Sequence, residues 1–195
     1  MTKEQFIEMV QGLCASGDLQ SDIRGRYGYN RIAAITNQVV SSIFSLDVSV
    51  ADQMAALFPI EVKFENDKFR AVLPVSPMNG ARGIRSCFCD GVRVPFNNNH
   101  TDFILSSILG GSSGPEGVLS NRVVTIHKPI DSWVLSKKTL LADFYIVPDI
   151  LSMDDNVEFI NESYSETIAV RVVEIVKSTD SRVEEKINNT NQDVS

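Results

Sequence analysis

Ile84-Arg85-Ser86-Cys87-Phe88-Cys89-Asp90-Gly91-Val92-Arg93-Val94-Pro95-Phe96 sets the character of the middle of this chain. Asp90-Gly91 is a dipeptide that tolerates the positive φ angles of a tight type I′ turn, and the runs on either side have strand composition. Together they predict a β-hairpin whose register sets Cys89 opposite Val92 and Cys87 opposite Val94. Cysteines two apart on a strand leave it on one face. Beside valines, they read as small hydrophobes filling a core.

Outward from that hairpin the period of two continues. Ile60, Val62 and Phe64 alternate with Glu61, Lys63 and Glu65 after Pro59, and Phe69, Ala71 and Leu73 repeat the pattern beyond Asn66-Asp67, which predicts a second hairpin. Downstream, Arg122 to His127 and Thr139 to Val147 are rich in β-branched and aromatic residues and bounded by Pro129 and Pro148, so both are expected as strands. Between them and the first hairpin, Thr101 to Leu109 has the pattern of a short helix. Gly110 to Gly117 is too glycine-rich to be regular and reads as a mobile surface loop.

The two ends change to helical spacing. Thr2 with Gln5 makes a capping box, followed by Phe6, Val10, Leu13 and Cys14 on one face. A polar, glycine-containing segment then leads to a second periodic run with Ile32, Ile35, Val39 and Ile43. Past an acidic loop, Met153 to Glu158, a last helix starts near Ser163 and carries Ile168, Val172, Ile175, Thr179 and Val183. The fold class expected is therefore α+β in one domain over residues 1–183. It comprises a helix pair (2–46), a central antiparallel β-rich core built from hairpins (59–147) and a C-terminal helix (163–183). Residues 184–195, aliphatic only at Ile187 and Val194, are expected as a polar tail that stays extended or disordered until a neighbour orders it.

Composition narrows the function. With 195 residues and 43% hydrophobic content the chain can bury one sizeable core. Its 18 Lys+Arg against 25 Asp+Glu give a net charge of −7, which opposes a wholesale grip on nucleic acid or an anionic membrane and leaves room only for local contact. No apolar run approaches a membrane span. Three cysteines (Cys14, Cys87, Cys89) without framework spacing suit reduced thiols, so the chain is expected to be soluble and made in a cytoplasm.

Few residues could carry chemistry. Gly110-Gly111-Ser112-Ser113-Gly114 matches the G-x-S-x-G turn of α/β-hydrolases, but that elbow needs a strand before it and a helix after it. Here a helical stretch precedes and Pro115 follows, and no Asp lies between Ser112 and His127. A metal at Cys87 and Cys89 would need two further ligands, available only if Cys14, His100 or His127 converge by folding. Asp154-Asp155-Asn156-Val157-Glu158 resembles the start of a calcium loop, except that Phe159 stands where glycine is required. No catalytic residue, cofactor or metal is therefore expected. Arg24, Arg26 and Arg31 interleaved with Tyr27 and Tyr29 form a stretch able to meet phosphate or to anchor a protein partner. That stretch, Ser112 and Ser113 of the glycine-rich loop, and Ile187, Asn188, Asn189 and Asn191 of the tail are the expected contact residues. A monomeric binding module stays open as an alternative, and so does a hydrolase using Ser112 or a cysteine nucleophile.

The helix from Phe6-Ile7 to Leu13, the polar joint at Asp18 to Asp22, the helix from Asn30-Arg31-Ile32 to Phe44, the stretch Leu140 to Pro148, and the ending Tyr164 to Val183 followed by Lys186-Ile187-Asn188-Asn189-Thr190-Asn191 resemble, in their layout, the head-to-tail connector proteins of tailed bacteriophages. They are most similar to the ring subunits of crAss-like phages. That resemblance spans most of the chain as a pattern of elements. It implies a virion structural protein at the head–tail junction, a homo-oligomer forming a dodecameric ring, with the portal and other connector or tail proteins as partners, possible local contact with packaged DNA, and no membrane. Catalytic positions are not part of what it implies. A ring subunit meets its neighbours through head-to-tail surfaces that close by rotation.

Overall fold

A computed structural model of the chain describes residues 1–15, 27–46, 48–97, 114–136, 139–158 and 162–192. The chain is α+β, as its two periodicities predict. It divides into two compact units where one domain was expected: Met1–Asp47 with Asp155–Ser195, and Val48–Asp154. The helices at the two ends of the sequence share one core, and the strands between them have another.

The first unit holds α1 (Lys3–Cys14), α2 (Tyr29–Leu46) and α3, the C-terminal helix Glu162–Gln192. Thr2 caps α1 through its side chain, which accepts from the Gln5 N–H, while the Gln5 side chain accepts from the Thr2 N–H at 3.0 Å, the reciprocal pair expected. The buried faces are Phe6, Ile7, Val10 and Cys14 on α1, Ile32, Thr36, Val39, Val40 and Phe44 on α2, and Ser165, Ile168, Ala169, Val172 and Val176 on α3. Each stripe is turned slightly from the expected one. Leu13 and Ile175, both placed on core faces by spacing, are substantially exposed. Helical neighbours lie only 100° apart, so rim positions alternate between core and solvent with small rotations. The backbone of α3 continues to Gln192, well past residue 183 and through the segment expected to be an extended tail.

The second unit is built on eight strands: β1 (Ala56–Glu65), β2 (Lys68–Val72), β3 (Ile84–Cys89), β4 (Val92–Arg93), β5 (Phe96–Asn97), β6 (Glu116–Ser120), β7 (Val123–His127) and β8 (Thr139–Ile146). Both predicted turns are present, with positive φ at Asn66 and Asp67 and at Asp90 and Gly91. The Asp90-Gly91 register is also as expected. Cys89 faces Val92, and the Val94 N–H donates to the Cys87 carbonyl at 2.9 Å.

Strand order is β4-β3-β8-β1-β2-β7-β6-β5, so the two edges of the sheet, β4 and β5, are separated in the chain by only Val94-Pro95. Two residues cannot span a sheet. The edges therefore meet, and the sheet closes into a barrel. Val94 still bonds to β3, and one residue later the Pro95 carbonyl accepts from the Gly117 N–H of β6 at 2.8 Å. Closure is parallel, with Phe96 beside Gly117 and Asn97 beside Val118, so the sheet is mixed and not wholly antiparallel as expected. Closure is partial: β1 pairs with β2 only over Lys63–Glu65, and β5 with β6 only over Phe96–Asn97. The interior is filled by Phe58, Val62, Phe69, Cys87, Cys89, Val124, Ile126, Leu140, Phe144 and Ile146. Across it the Phe96 and Phe144 rings lie 6.0 Å apart.

Three boundaries differ from expectation. β1 starts at Ala56 and runs through Pro59, because that part of the strand is paired on one side only, by β8, and the missing N–H costs no ladder bond on the other. Glu116 and Gly117, assigned to the glycine-rich loop, open strand β6, whereas Arg122 sits in the turn before β7. Two short helices, Val48–Met54 and Asp131–Ser136, have no clear periodic signature. The second places Trp133 edge-on to Phe69 at 6.2 Å. Among the described residues no helix is long and apolar enough to cross a membrane.

Candidate interaction surface

Strand alternation gives the barrel an outer wall whose composition is unusual for a face open to solvent. Residues 58 and 62 of β1 and 140, 142, 144 and 146 of β8 fill the interior, so 57, 59, 61, 63 and 65 and their β8 partners point outward. The register sets Leu57 beside Tyr145, Pro59 beside Asp143, Glu61 beside Leu141 and Lys63 beside Thr139. On β3, Phe88 lies next to Asp143 and packs edge-to-face on Tyr145, with ring centroids 6.4 Å apart. Leu57 is 50% exposed, Leu141 61% and Val72, on β2, 64%. Large apolar side chains gathered on one exposed face mark contact surfaces more often than those scattered singly.

The rest of the wall is charged. Glu61, Lys63 and Glu65 alternate along β1, and Lys63 faces Arg70 while Glu65 faces Lys68 on β2. Among the described residues none of these five is in a salt bridge. Lys63 and Arg70, like charges directly opposite one another, oppose the pairing of their strands. A hollow of about 480 Å³ lies over them, bordered by Glu61, Glu65, Val72 and Val123.

The residues singled out in the sequence are distributed differently. Arg24, Arg26, His100, Ser112, Ser113 and the predicted helix Thr101 to Leu109 lie outside the described residues. Tyr27 is buried, and its carbonyl accepts from the Gln11 amide at 2.8 Å. The Tyr29 hydroxyl donates to Asp155 Oδ1 at 2.6 Å, and Lys3 Nζ reaches the same oxygen at 3.0 Å while lying 5.8 Å above the Tyr29 ring. The Glu4 N–H donates to the Asp155 carbonyl at 3.1 Å. Burial, then the bond to Asp155, pushes the Tyr29 hydroxyl pKa up; the bonds from Tyr29 and Lys3 hold the Asp155 carboxyl below its usual range. Arg31 pairs with Asp180 of α3 at 2.8 Å. Tyr27, Tyr29 and Arg31 thus bind the helical unit together from within. Ile187, Asn188, Asn189 and Asn191 lie on the last turns of α3. Asp155, the hub of this network, was read only as part of an acidic loop. Its partners are more than a hundred residues away in sequence, and no local signal marks it.

The candidate nucleophiles are also placed by the fold. Cys87 and Cys89 are fully buried in the barrel and Cys14 nearly so in the helical unit. Burial pushes the Cys87 thiol pKa far up, with Cys89 and Asp143 adding to the effect, and it raises that of Cys14 too. A thiol held in its protonated form is a poor nucleophile. After Gly114-Pro115 comes strand β6 and not the helix a serine elbow requires. Among the described residues no three His, Cys, Asp or Glu side chains gather as a metal site would need. No protein-family model matches the chain, and no curated protein matches it.

Proposed function

We propose that the protein is a structural subunit that works by docking on other proteins, and that its place is the connector between portal and tail of a tailed bacteriophage. The observation that carries the docking half is the outer wall of the barrel: exposed Leu57, Leu141, Val72 and the Phe88–Tyr145 pair beside five charges that have no salt-bridge partner among the described residues. Isolated, such a wall leaves apolar area in water and like charges side by side. A protein partner that sets acidic groups against Lys63 and Arg70 would remove both costs. The connector half is supported by the layout of the chain: two N-terminal helices, a β core and a long C-terminal helix. A curled sheet with a filled interior suits it, because such a scaffold presents a fixed surface to its neighbours.

The test is incorporation. The chain is expected in purified particles of the phage that encodes it, and Leu141→Glu, which puts a charge in the apolar part of the wall, is expected to fold and yet be lost from those particles. Wild-type protein absent from particles refutes the connector reading. Undiminished incorporation of the Leu141→Glu protein refutes docking through the wall.

A further inference from the structure

We infer that the cleft between β1 and β2 takes an extended segment of another protein as an added strand, held main chain to main chain along residues 57–61 and led by an acidic residue. The inference rests on the reading of the barrel wall as a docking surface and names the kind of segment that docks. Asn66 and Asp67 both have positive φ, so their turn sets Glu65 and Lys68 to exchange both ladder bonds, and Lys63 and Arg70 exchange theirs one repeat further on. Main-chain groups alternate sides along a strand. The C=O groups of positions 57, 59 and 61, and the N–H groups of Leu57 and Glu61, therefore turn away from β8, toward the side on which β2 lies. Register continued along that side would set Glu61 opposite Val72. Pairing ends instead at Lys63 and Arg70, and Glu61 and Val72 border the hollow. Among the described residues no strand pairs with positions 56–62 there, which leaves a short edge of the kind that takes up extended peptides.

Side chains along the edge select its occupant. Pro59 withholds one donor and Glu61 sets a charge beside it, devices that blunt an edge toward indiscriminate pairing. A second copy of the same edge fits poorly: antiparallel pairing about Pro59 would lack a donor on each copy and set Glu61 against Leu57. An antiparallel segment of another protein, running in the direction β2 already takes, enters over Lys63 and Arg70. Those two cations stand directly opposite, about 5.5 Å apart at Cα, whereas Glu61 and Glu65 are each about 6.8 Å from Lys63 along the strand, so the nearest charge to Lys63 is a like one. A carboxylate at the head of the segment answers both cations. Its next outward residue comes opposite Glu61, where a hydroxyl fits and a second acid does not, and its last comes opposite half-exposed Leu57, where an aliphatic side chain covers apolar area.

The test uses the full chain and a fluorescein-labelled peptide, Asp-Thr-Thr-Val-Thr-Val-Leu, whose Asp is placed to meet Lys63 and Arg70 and whose Leu is placed to meet Leu57. Fluorescence anisotropy is expected to show saturable binding in the micromolar range. Methylating the peptide nitrogen of the residue opposite Glu61 removes a main-chain donor and leaves the protein untouched, and it should weaken binding about tenfold or more. Glu61→Pro removes an N–H outside the ladder, as Pro59 does, so that chain should fold, by Trp133 fluorescence, and bind the peptide as weakly. Lys63→Glu with Arg70→Glu should lose the peptide, and replacing its Asp by Lys should restore binding. Wild-type protein that fails to bind overturns the inference, and so does undiminished binding of the methylated peptide. A Glu61→Pro chain that cannot fold while the methylated peptide binds normally shows that the N–H is already engaged, which overturns it too. If the peptide fails to bind while Leu141→Glu still abolishes incorporation into particles, the added strand is refuted and the docking reading is not.

Discussion

Gly117 is where closure of the barrel can be broken with one methyl group. A Cβ built there would lie 2.5 Å from Cε1 and Cζ of Phe96 and 2.8 Å from Cδ1, whereas ordinary contact begins at 3.4 Å. The ring would have to withdraw by roughly 1 Å, but it stands against Phe144 across the interior and Pro95 stiffens the backbone behind it. Overpacking of this kind costs about 1–3 kcal/mol. Alanine also restricts the unfolded chain, which returns about 0.4–1 kcal/mol where the native backbone permits it, as the φ of Gly117 does. Gly117→Ala is therefore expected to destabilise the barrel by about 1–2 kcal/mol, a fall in melting temperature of about 5–10 °C. Trp133, the sole tryptophan, packs on Phe69 of the same unit, so its fluorescence during thermal or urea unfolding reads the barrel and not the helices. The decisive measurement is the double-mutant cycle. With Phe96→Ala the obstructing ring is gone, and Gly117→Ala should become neutral or mildly stabilising. An equal cost of Gly117→Ala in both backgrounds would refute closure through this contact.

Two further outcomes follow from titratable groups. Because Tyr29 and Lys3 hold the Asp155 carboxyl below its unfolded value, its contribution is present above the ordinary carboxylate range and lost as pH falls through the depressed folded value. Circular dichroism of the helical unit during acid titration should show that loss in wild type and not in Asp155→Asn, the difference staying under about 1 kcal/mol because the carboxyl is exposed. A pH profile unchanged by the substitution would show the clamp to be inert. All three thiols are buried, so a thiol reagent such as DTNB should find almost none reactive in native protein and three after denaturation. Rapid labelling of the native chain would contradict the packing of the barrel interior.

Local chemistry was legible wherever a few adjacent residues settle a conformation. Asp90-Gly91 and Asn66-Asp67 adopt left-handed backbone because short polar side chains and glycine tolerate it, and Thr2 with Gln5 caps a helix through bonds that span three residues. Period-two alternation likewise marked the inward face of β1. On β8 the adjacent Leu140 and Leu141 are alike in sequence, and only the fold buries the first and exposes the second.

Taken alone, the order of amino acids determined the elements: helices at both ends, hairpins between them, turn positions, and a core that takes in Cys87 and Cys89. Tertiary structure decided what those elements became. That β4 and β5 join the two edges of the sheet, that Gly117 must leave space for the Phe96 ring, that Asp155 gathers Lys3 and Tyr29, and that the helices form one unit and the strands another all depend on groups distant in the chain meeting in space. Such meetings are set by the packing energy of the whole fold, to which any short stretch contributes only a small part, so no window of sequence contains them.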